Sequence, residues 1–217
     1  MKALPKITTA KSLVGSLFAV ALIAWNPLQT QANTIAFSIS GGNATVFLFG
    51  DITLGYAFTT SSPIKVTNLG VFDAFNNGLV ASHAVTLWTS TGTQLVQATI
   101  PAGTGGTLID GFRYVSIAPF SLPAGTYTIG GTYDGSLDAA QTDTTITGAS
   151  GLSYVDGRSD FGFTFPSGDL FNFPGNGYFG PNFEFTTGVA TPDSGSTVSL
   201  LGCALLGLAA LRRKLSC

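Results

Sequence analysis

The sequence predicts an all-β protein whose central part is an antiparallel, jelly-roll-like β-sandwich. From Asn33 onward, short runs rich in Val, Ile, Thr, Phe and Tyr are separated by clusters of Gly, Pro, Asn, Asp and Ser. No part of this central stretch has apolar residues at helical spacing over a useful length. About ten short strands at such intervals are typical of a sandwich.

The first 32 residues predict a secretory signal peptide. Lys2, Lys6 and Lys11 precede the apolar run 13–25, and the small residues Thr30 and Ala32 stand at the two positions that signal peptidase reads. We therefore expect cleavage by signal peptidase after Ala32 and export of the remaining chain.

Residues 33–187 form the predicted β-sandwich ectodomain. In the run 83–89, Val85 and Leu87 share one face with His83, while Trp88 takes the other. Tyr127 and Ile129 likewise share a face and are predicted to point into the core. The candidate strands are 34–40, 45–49, 54–60, 65–72, 83–89, 95–100, 112–117, 126–133, 144–147 and 182–186.

Turn residues separate these runs. The turn tripeptides are Asn76-Asn77-Gly78, Ser90-Thr91-Gly92, Pro101-Ala102-Gly103 and Pro123-Ala124-Gly125. Such residues tolerate positive φ or preset a bend. The same chemistry predicts turns at three Asp-Gly pairs, Asp110-Gly111, Asp134-Gly135 and Asp156-Gly157.

The charges and cysteines are unevenly distributed. Most basic residues lie in the two end segments, so residues 33–190 carry three basic residues against nine aspartates and one glutamate, a net charge of −7. This charge argues against binding to nucleic acid or to anionic surfaces. Both cysteines, Cys203 and Cys217, lie in the tail, which excludes a disulfide, a thiol nucleophile and Cys-ligated zinc from the ectodomain.

Residues 188–217 predict a membrane-addressing tail. A polar signature at 191–197 precedes the apolar run 198–211 and a basic end at 212–214. As a helix, that run reaches about 21 Å, which is short of the roughly 30 Å hydrocarbon core of a bilayer. It can insert if the bilayer thins or if the basic end reaches the interface.

The order of polar signature, apolar helix and basic end resembles the PEP-CTERM class of bacterial sorting signals. The closest variant is VPDSG, with Thr191 here in place of its Val. The resemblance implies processing by an exosortase-type membrane enzyme, and a plain tail anchor or a buried core helix is the alternative. It assigns recognition to Pro192, Asp193, Ser194 and Gly195, and stop transfer to Arg212, Arg213 and Lys214.

A second resemblance covers residues 55–133. The segments 69–73, 82–89, 111–115 and 123–127 are similar to a β-sandwich module of unassigned function in exported bacterial proteins, many of which carry the same tail. This resemblance implies a fold and no activity.

Few residues of the ectodomain suit catalysis. His83 is the only histidine of the chain and no Gly-x-Ser-x-Gly elbow is present, so we expect His83 to be structural. Glu184 is the only glutamate, whereas glycoside hydrolysis needs two facing carboxylates, which a pair of aspartates would have to supply. The prediction is a protein that is not an enzyme, with a secreted hydrolase as the third hypothesis.

Two segments place aspartates four residues apart around a Gly turn. Asp134 with Asp138, and Asp156 with Asp160, could offer oxygen ligands to calcium, the one cofactor that the sequence suggests. Arg158 would oppose a cation at the second segment, so Asp134 and Asp138 are the predicted calcium pair. Neither segment has the denser Asp-x-Asp-x-Asp pattern.

Aromatic residues are the candidates for ligand binding. Trp88 lies on the less apolar face of its strand, and nine aromatics occur within residues 161–185. Exposed rings of this kind could stack on sugar rings. The alternative, which we favour for 161–185, is an irregular loop with buried Phe side chains that ends in the last strand.

These observations predict a non-enzymatic, exported surface protein. Because the tail resembles a signal associated with bacteria that make extracellular polysaccharide, the leading hypothesis is a structural or adhesive role in the surface layer or biofilm matrix. The runner-up is a carbohydrate-binding module that uses Trp88 or the aromatic segment.

Overall fold

The computed structural model describes residues 32–48, 50–171 and 177–187, and these ranges contain fourteen β-strands and no helix. The predicted signal peptide, up to residue 31, and the predicted C-terminal helix lie outside them. The strands are β1 (Thr34–Ile35), β2 (Phe37–Ser40), β3 (Asn43–Val46), β4 (Ile52–Thr60), β5 (Ile64–Phe72), β6 (His83–Thr89), β7 (Gln94–Ile100), β8 (Thr107–Ile109), β9 (Phe112–Leu122), β10 (Gly125–Tyr133), β11 (Ala139–Thr142), β12 (Thr145–Gly148), β13 (Leu152–Phe161) and β14 (Pro181–Thr187).

Two five-stranded antiparallel sheets make up most of the described domain. The first sheet has the order β1-β14-β5-β9-β8, and the second sheet has the order β13-β4-β10-β6-β7. Two further two-stranded ribbons pair β11 with β3 and β12 with β2. This antiparallel, all-β arrangement is consistent with the predicted β-sandwich, and the jelly-roll connection remains a prediction.

A single aromatic-rich core lies between the sheets. Phe58 of β4 contacts Phe183 of β14 with ring centroids 5.0 Å apart, and Tyr56 stacks on Phe179 at 4.7 Å. Burying each such ring contributes about 1.5–3 kcal/mol. Ile129, on the predicted core face of β10, belongs to the same buried cluster, as does Tyr127. Period-two alternation therefore identified the inward faces of the strands correctly.

The predicted first strand, 34–40, is divided at Ala36. The amide of Ala36 donates to Phe183 O in β14, and the carbonyl of Ala36 accepts from the amide of Ala149. The chain thus changes partners at one residue, so β1 joins the first sheet and β2 joins the ribbon with β12. The predicted strand 45–49 also shifts, to Asn43–Val46, and Phe49 lies outside the described residues.

The prediction of a turn at Asp156-Gly157 is wrong, because both residues lie inside β13. Strand β13 pairs with β4 from Leu152↔Thr60 to Phe161↔Ile52, with a bulge between Tyr154 and Asp156. Gly157 lies against Gly177, whose Cα is 2.7 Å from the place where a Cβ would stand. Pairing with a strand almost a hundred residues earlier has overridden the local turn preference. The short strands β8 and β11 were also not predicted.

The other Asp-Gly pairs form turns as predicted. Asp110 and Gly111 have φ of 51° and 80°, and Gly135 has φ of 77°. The hairpin between β6 and β7 turns at Gly92 with φ of 90°. Gly125 differs, because it begins β10 rather than completing a turn.

Candidate functional site

The outer face of the second sheet carries a groove of about 600 Å³. Its floor is formed by residues that alternate with the core-facing ones on neighbouring strands: Thr53 of β4, Thr132 of β10, Ala84, Thr86 and Trp88 of β6, and Gln94, Gln97 and Thr99 of β7. Cross-strand register sets them side by side, with Thr86 opposite Gln97 and Trp88 opposite Gln94. The floor is therefore mainly polar.

A bulge in β7 brings Gln94 onto this face. Leu87 pairs with Val96, whereas the next residue, Trp88, pairs with Gln94, so Leu95 is the extra residue. A bulge shifts the side-chain alternation by one position. Without that shift Gln94, three positions from Gln97, would point to the opposite face of the sheet.

Residues 162–166 fold back over the sheet and form one wall of the groove. Thr53 Oγ1 donates to Gly162 O at 2.9 Å and accepts from the amide of Thr164 at 3.1 Å. The amide of Gly162 also donates to Asp51 O. These bonds hold the segment that carries Phe163 and Phe165 against the beginning of β4.

Trp88 is 8% exposed and lies in the floor of the groove. Its ring makes an edge contact with Phe165 at a centroid distance of 5.9 Å. A Cβ at Gly130, on the neighbouring strand, would lie 3.0 Å from Trp88 Cζ3 and 2.7 Å from Thr53 Cγ2. The glycine thus makes room for the indole ring between β6 and β4.

The structure places the predicted ligand residue Trp88 beside two residues of the aromatic segment. Phe163, 56% exposed, and Phe165 both line the groove with Trp88. The predicted burial of the segment is confirmed for its second half, where Tyr178, Phe179, Phe183 and Phe185 are buried. It is wrong for Phe161 and Phe163, which are exposed, and residues 172–176 lie outside the described residues.

Among the residues that the structure describes, none of those that line the groove has an ionisable side chain. Charged residues lie on β13, the strand next to β4, where the Arg158 guanidinium pairs with both carboxylate oxygens of Asp156, each at 2.9 Å. Asp160 accepts a hydrogen bond from Ser167 Oγ at 3.1 Å. Both acidic groups of this strand are thus engaged by neighbouring donors.

The predicted calcium residues have different environments. Asp134 is exposed and accepts from the amide of Ser136 at 3.0 Å, which lowers the pKa of its carboxyl group. Asp138 is 7% exposed, and its two oxygens accept from the amides of Val80 and Ala81, each at 2.8 Å. The described part of the chain has no cluster of three or more His, Cys, Asp or Glu side chains that could hold a metal ion. Calcium binding stays a prediction.

A buried pair of His83 and Asp138 was not predicted. His83 Nε2 lies 2.9 Å from Asp138 Oδ2, and Nδ1 faces the carbonyl oxygen of Thr132 at 2.5 Å. Burial raises the pKa of Asp138, but the hydrogen bonds from His83 and from the two amides outweigh it, and the pKa lies below its usual value. Both ring nitrogens of His83 are engaged.

A buried ion pair joins Arg113 of β9 to Asp73. Arg113 Nε donates to Asp73 Oδ2 at 2.7 Å, and the same oxygen accepts from the amide of Gly78 at 2.9 Å. The guanidinium also donates to the carbonyl oxygens of Gly106 and Asn76. This network holds the loop between β5 and β6 on the first sheet. The signal for this pair in the sequence was the charged Arg113 between the apolar residues Phe112 and Tyr114.

The residues assigned to sorting lie outside the described residues, which end at 187. A family model described as the VPDSG-CTERM motif matches residues 192–215 and supports the sorting signal. The match begins at Pro192 and therefore includes Pro192, Asp193, Ser194 and Gly195, and the basic residues Arg212, Arg213 and Lys214. No curated protein and no solved structure matches the chain. Within the described ranges, the structure has no helix of the length and hydrophobicity needed to cross a bilayer.

Proposed function

We propose that this protein is a non-enzymatic surface protein with a structural or adhesive role in a polysaccharide-rich outer layer, to which an exosortase-type system delivers it. The observation that carries the proposal is the VPDSG-CTERM motif at 192–215, downstream of an all-β domain. Strand β14 ends at Thr187, so only four residues separate the last strand from the motif. The domain is thus held close to the point of processing.

In this proposal each part of the tail has a physical task. Pro192, Asp193, Ser194 and Gly195 are the recognition elements for the processing enzyme. The apolar run 198–211 inserts into the bilayer and presents those residues near its surface. Arg212, Arg213 and Lys214 stay on the cytoplasmic side and stop transfer. Signal peptidase acts at the other end, after Ala32.

The described domain suits an exposed, non-catalytic role. It has no cysteine, and its only histidine has both ring nitrogens engaged by Thr132 and Asp138. Its stability rests on an aromatic core and on paired strands, which need no cofactor. These features support a structural or adhesive domain over the third hypothesis, a hydrolase.

A carbohydrate-binding module is the second candidate, and the groove on the second sheet favours it. Trp88, Phe163 and Phe165 meet there beside amide and hydroxyl side chains. Aromatic rings next to groups that donate and accept hydrogen bonds are suited to sugar recognition. Binding and adhesion are compatible, since a module that holds a polysaccharide also anchors the protein in the layer.

Mass spectrometry of the protein recovered from its own cells tests sorting. We expect a mature chain that begins at Asn33 and ends within residues 191–197. A mature membrane-bound chain that still contains Cys217 would make the tail a simple anchor and would overturn processing. Replacing Arg212, Arg213 and Lys214 together with Gln should cause failed processing or release past the membrane. Replacing Lys65 with Gln is the matched control, because Lys65 lies in β5.

A further inference from the structure

We propose that the groove on the outer face of the second sheet binds an uncharged saccharide chain. Phe163 would provide the stacking face, Trp88 an apolar floor beside it, and Gln94 and Gln97 the directional hydrogen bonds. The inference rests on the proposed surface location, because an exported domain meets polysaccharide outside the cell. It deepens that proposal by naming the site and the chemical class of the ligand.

The shape of the groove suits a chain rather than a single sugar ring. The lining residues come from four adjacent strands, β4, β10, β6 and β7. Three gaps between strands span about 14 Å at the usual spacing of about 4.8 Å. The volume of about 600 Å³ lies in the range typical of ligand sites.

The aromatic groups are fixed before a ligand arrives. Trp88 lies over Gly130 and against Phe165. Phe165 in turn packs on Gly92, where a Cβ atom would lie only 2.9 Å from the Phe165 ring. Phe163 is attached to the wall that Thr53 holds. Rigid aromatic surfaces lose little entropy when a ligand stacks on them. The exposed Phe163, on a backbone segment held in place, and the largely buried Trp88 in the floor therefore form an apolar platform.

The polar groups leave donors and acceptors for a ligand. Gln94 Nε2 donates to Gln97 Oε1 at 3.2 Å. Among the residues that the structure describes, this is the side-chain bond found for the two amides, so Gln94 Oε1 and Gln97 Nε2 are left to a ligand as an acceptor and a donor. Thr86 and Thr99 add hydroxyl groups on the same face. A donor beside an acceptor is suited to vicinal sugar hydroxyls, because each hydroxyl can donate and accept a hydrogen bond.

Charge selects against an acidic polymer. The part of the lining that the structure describes has no ionisable side chain, and residues 33–190 carry a net charge of −7. No cation among these lining residues would offset the repulsion of a polyanion by this domain. A cationic ligand would lack a carboxylate partner there as well. An uncharged chain is not repelled by the negative domain and needs no carboxylate partner.

The test uses the full chain, purified in a detergent without sugar head groups and carrying Trp25→Phe, so that Trp88 is the remaining indole. Indole fluorescence is recorded while cellohexaose, maltohexaose or mannohexaose is added, and hexagalacturonate serves as the anionic counterpart. We expect at least one neutral hexasaccharide to shift the fluorescence saturably and hexagalacturonate to have no effect. If none of the neutral chains binds, or if hexagalacturonate binds better, the proposal is overturned.

Substitutions locate the site by a second method, isothermal calorimetry, because Trp88→Ala removes the fluorophore. Phe163→Ala and Gln97→Ala should each weaken binding about tenfold, the equivalent of about 1.4 kcal/mol. Phe75→Ala is the matched control, since Phe75 is 77% exposed and does not line the groove. Both groove residues are exposed, so these variants should fold even if Trp88→Ala does not.

Further outcomes separate this inference from the others. Unchanged affinity in both Phe163→Ala and Gln97→Ala would place any sugar binding elsewhere and refute the inference. Saturable binding of an oligothreonine peptide in preference to the neutral sugars would identify a peptide site instead. Failure of tail processing in cells, with groove binding intact, would overturn the sorting proposal and leave the saccharide site standing.

Discussion

Replacing Asp138 with Ala should strongly destabilise the domain, whereas replacing Asp134 should not. Asp138 accepts from the amides of Val80 and Ala81 and from His83 Nε2, at 2.8, 2.8 and 2.9 Å. Removing a carboxylate that accepts these hydrogen bonds leaves donors unsatisfied, which costs about 1–3 kcal/mol for each buried group. Since Val80 is 62% exposed, we expect a total loss of about 2–4 kcal/mol.

The assay is thermal unfolding of the purified full chain, followed by circular dichroism. For a domain of this size, a loss of about 3 kcal/mol lowers Tm by about 6–12 °C. Asp134→Ala is the matched control: Asp134 is exposed, its carboxylate accepts from the Ser136 amide, and the predicted shift is below about 2 °C. A drop in Tm that is equal in the two variants would refute the assignment of Asp138 to a buried structural network.

The same pair of variants tests the calcium prediction. If Asp134 and Asp138 bound calcium together, adding Ca²⁺ would raise the Tm of the wild type by mass action, and either substitution would abolish that rise. If the Asp138 network is purely structural, Ca²⁺ leaves Tm unchanged, and the loss in Asp138→Ala is the same with and without a chelator. The two explanations therefore give opposite results in one experiment.

Acid should weaken the domain through the same carboxyl group. The pKa of Asp138 is lower in the folded state than in the unfolded state, with burial opposing the shift and the hydrogen bonds from His83, Val80 and Ala81 causing it. A lowered pKa adds stability above the unfolded-state value, and that stability is lost as pH falls through the folded-state value. Asp138→Asn should therefore flatten the acid limb of the plot of stability against pH below the ordinary aspartate pKa.

Three further predictions concern other buried groups. Arg113→Met leaves Asp73 buried without its cation and should cost about 3–5 kcal/mol in urea unfolding, whereas Arg158→Met, at a partly exposed pair, should cost less than about 1 kcal/mol; equal losses would count against the Arg113 network. Gly130→Ala places a methyl group against Thr53 and Trp88 and should cost about 1–3 kcal/mol. It should also change the fluorescence emission of Trp88, and an unaltered spectrum would contradict this packing. Burial raises the pKa of Glu184, so its ionisation destabilises the fold. Glu184→Gln should therefore raise the free energy of unfolding at neutral pH, and this gain should vanish below the ordinary glutamate pKa. A gain that persisted in acid would show a different cause.

Local pattern predicted strands in which side-chain alternation agrees with the burial of one face. Strand β6 runs from His83 to Thr89, the predicted range, and its alternation correctly placed Val85 and Leu87 in the core. Its partner β10 also starts within one residue of the predicted position. These strands alternate apolar and polar residues with period two, and that period is a property of adjacent residues alone.

Strand β13 shows where local pattern fails. Its Asp156-Gly157 pair has strong turn chemistry, yet nine residues of β4 pair with the strand and a bulge absorbs the irregularity. The division of the first strand at Ala36 has a similar cause, because β14 and β12 compete for consecutive residues of one extended segment. Pairing between distant strands contributes free energy that no window of adjacent residues contains.

The candidate site was likewise predictable from the sequence only in part. From the sequence, Trp88 and the aromatic segment 161–185 were identified as separate candidates for ligand binding, but their position in one groove could not be foreseen. Phe165 reaches Trp88 across 77 positions because residues 162–166 return over the second sheet. Gln94 and Gln97 carried no signal at all, since neutral polar residues on an outer sheet face look like ordinary solvent-facing residues.

The amino-acid sequence by itself therefore determined the all-β class, the inward faces of regular strands, the charge of the domain and the sorting motif at 192–215. Each of these depends on residue type and on spacing along the chain. The tertiary structure alone decided strand partners, the His83–Asp138 and Arg113–Asp73 pairs, and the groove. The two side-chain pairs join residues 55 and 40 positions apart, and their contacts arise only when the packed sheets bring distant segments together.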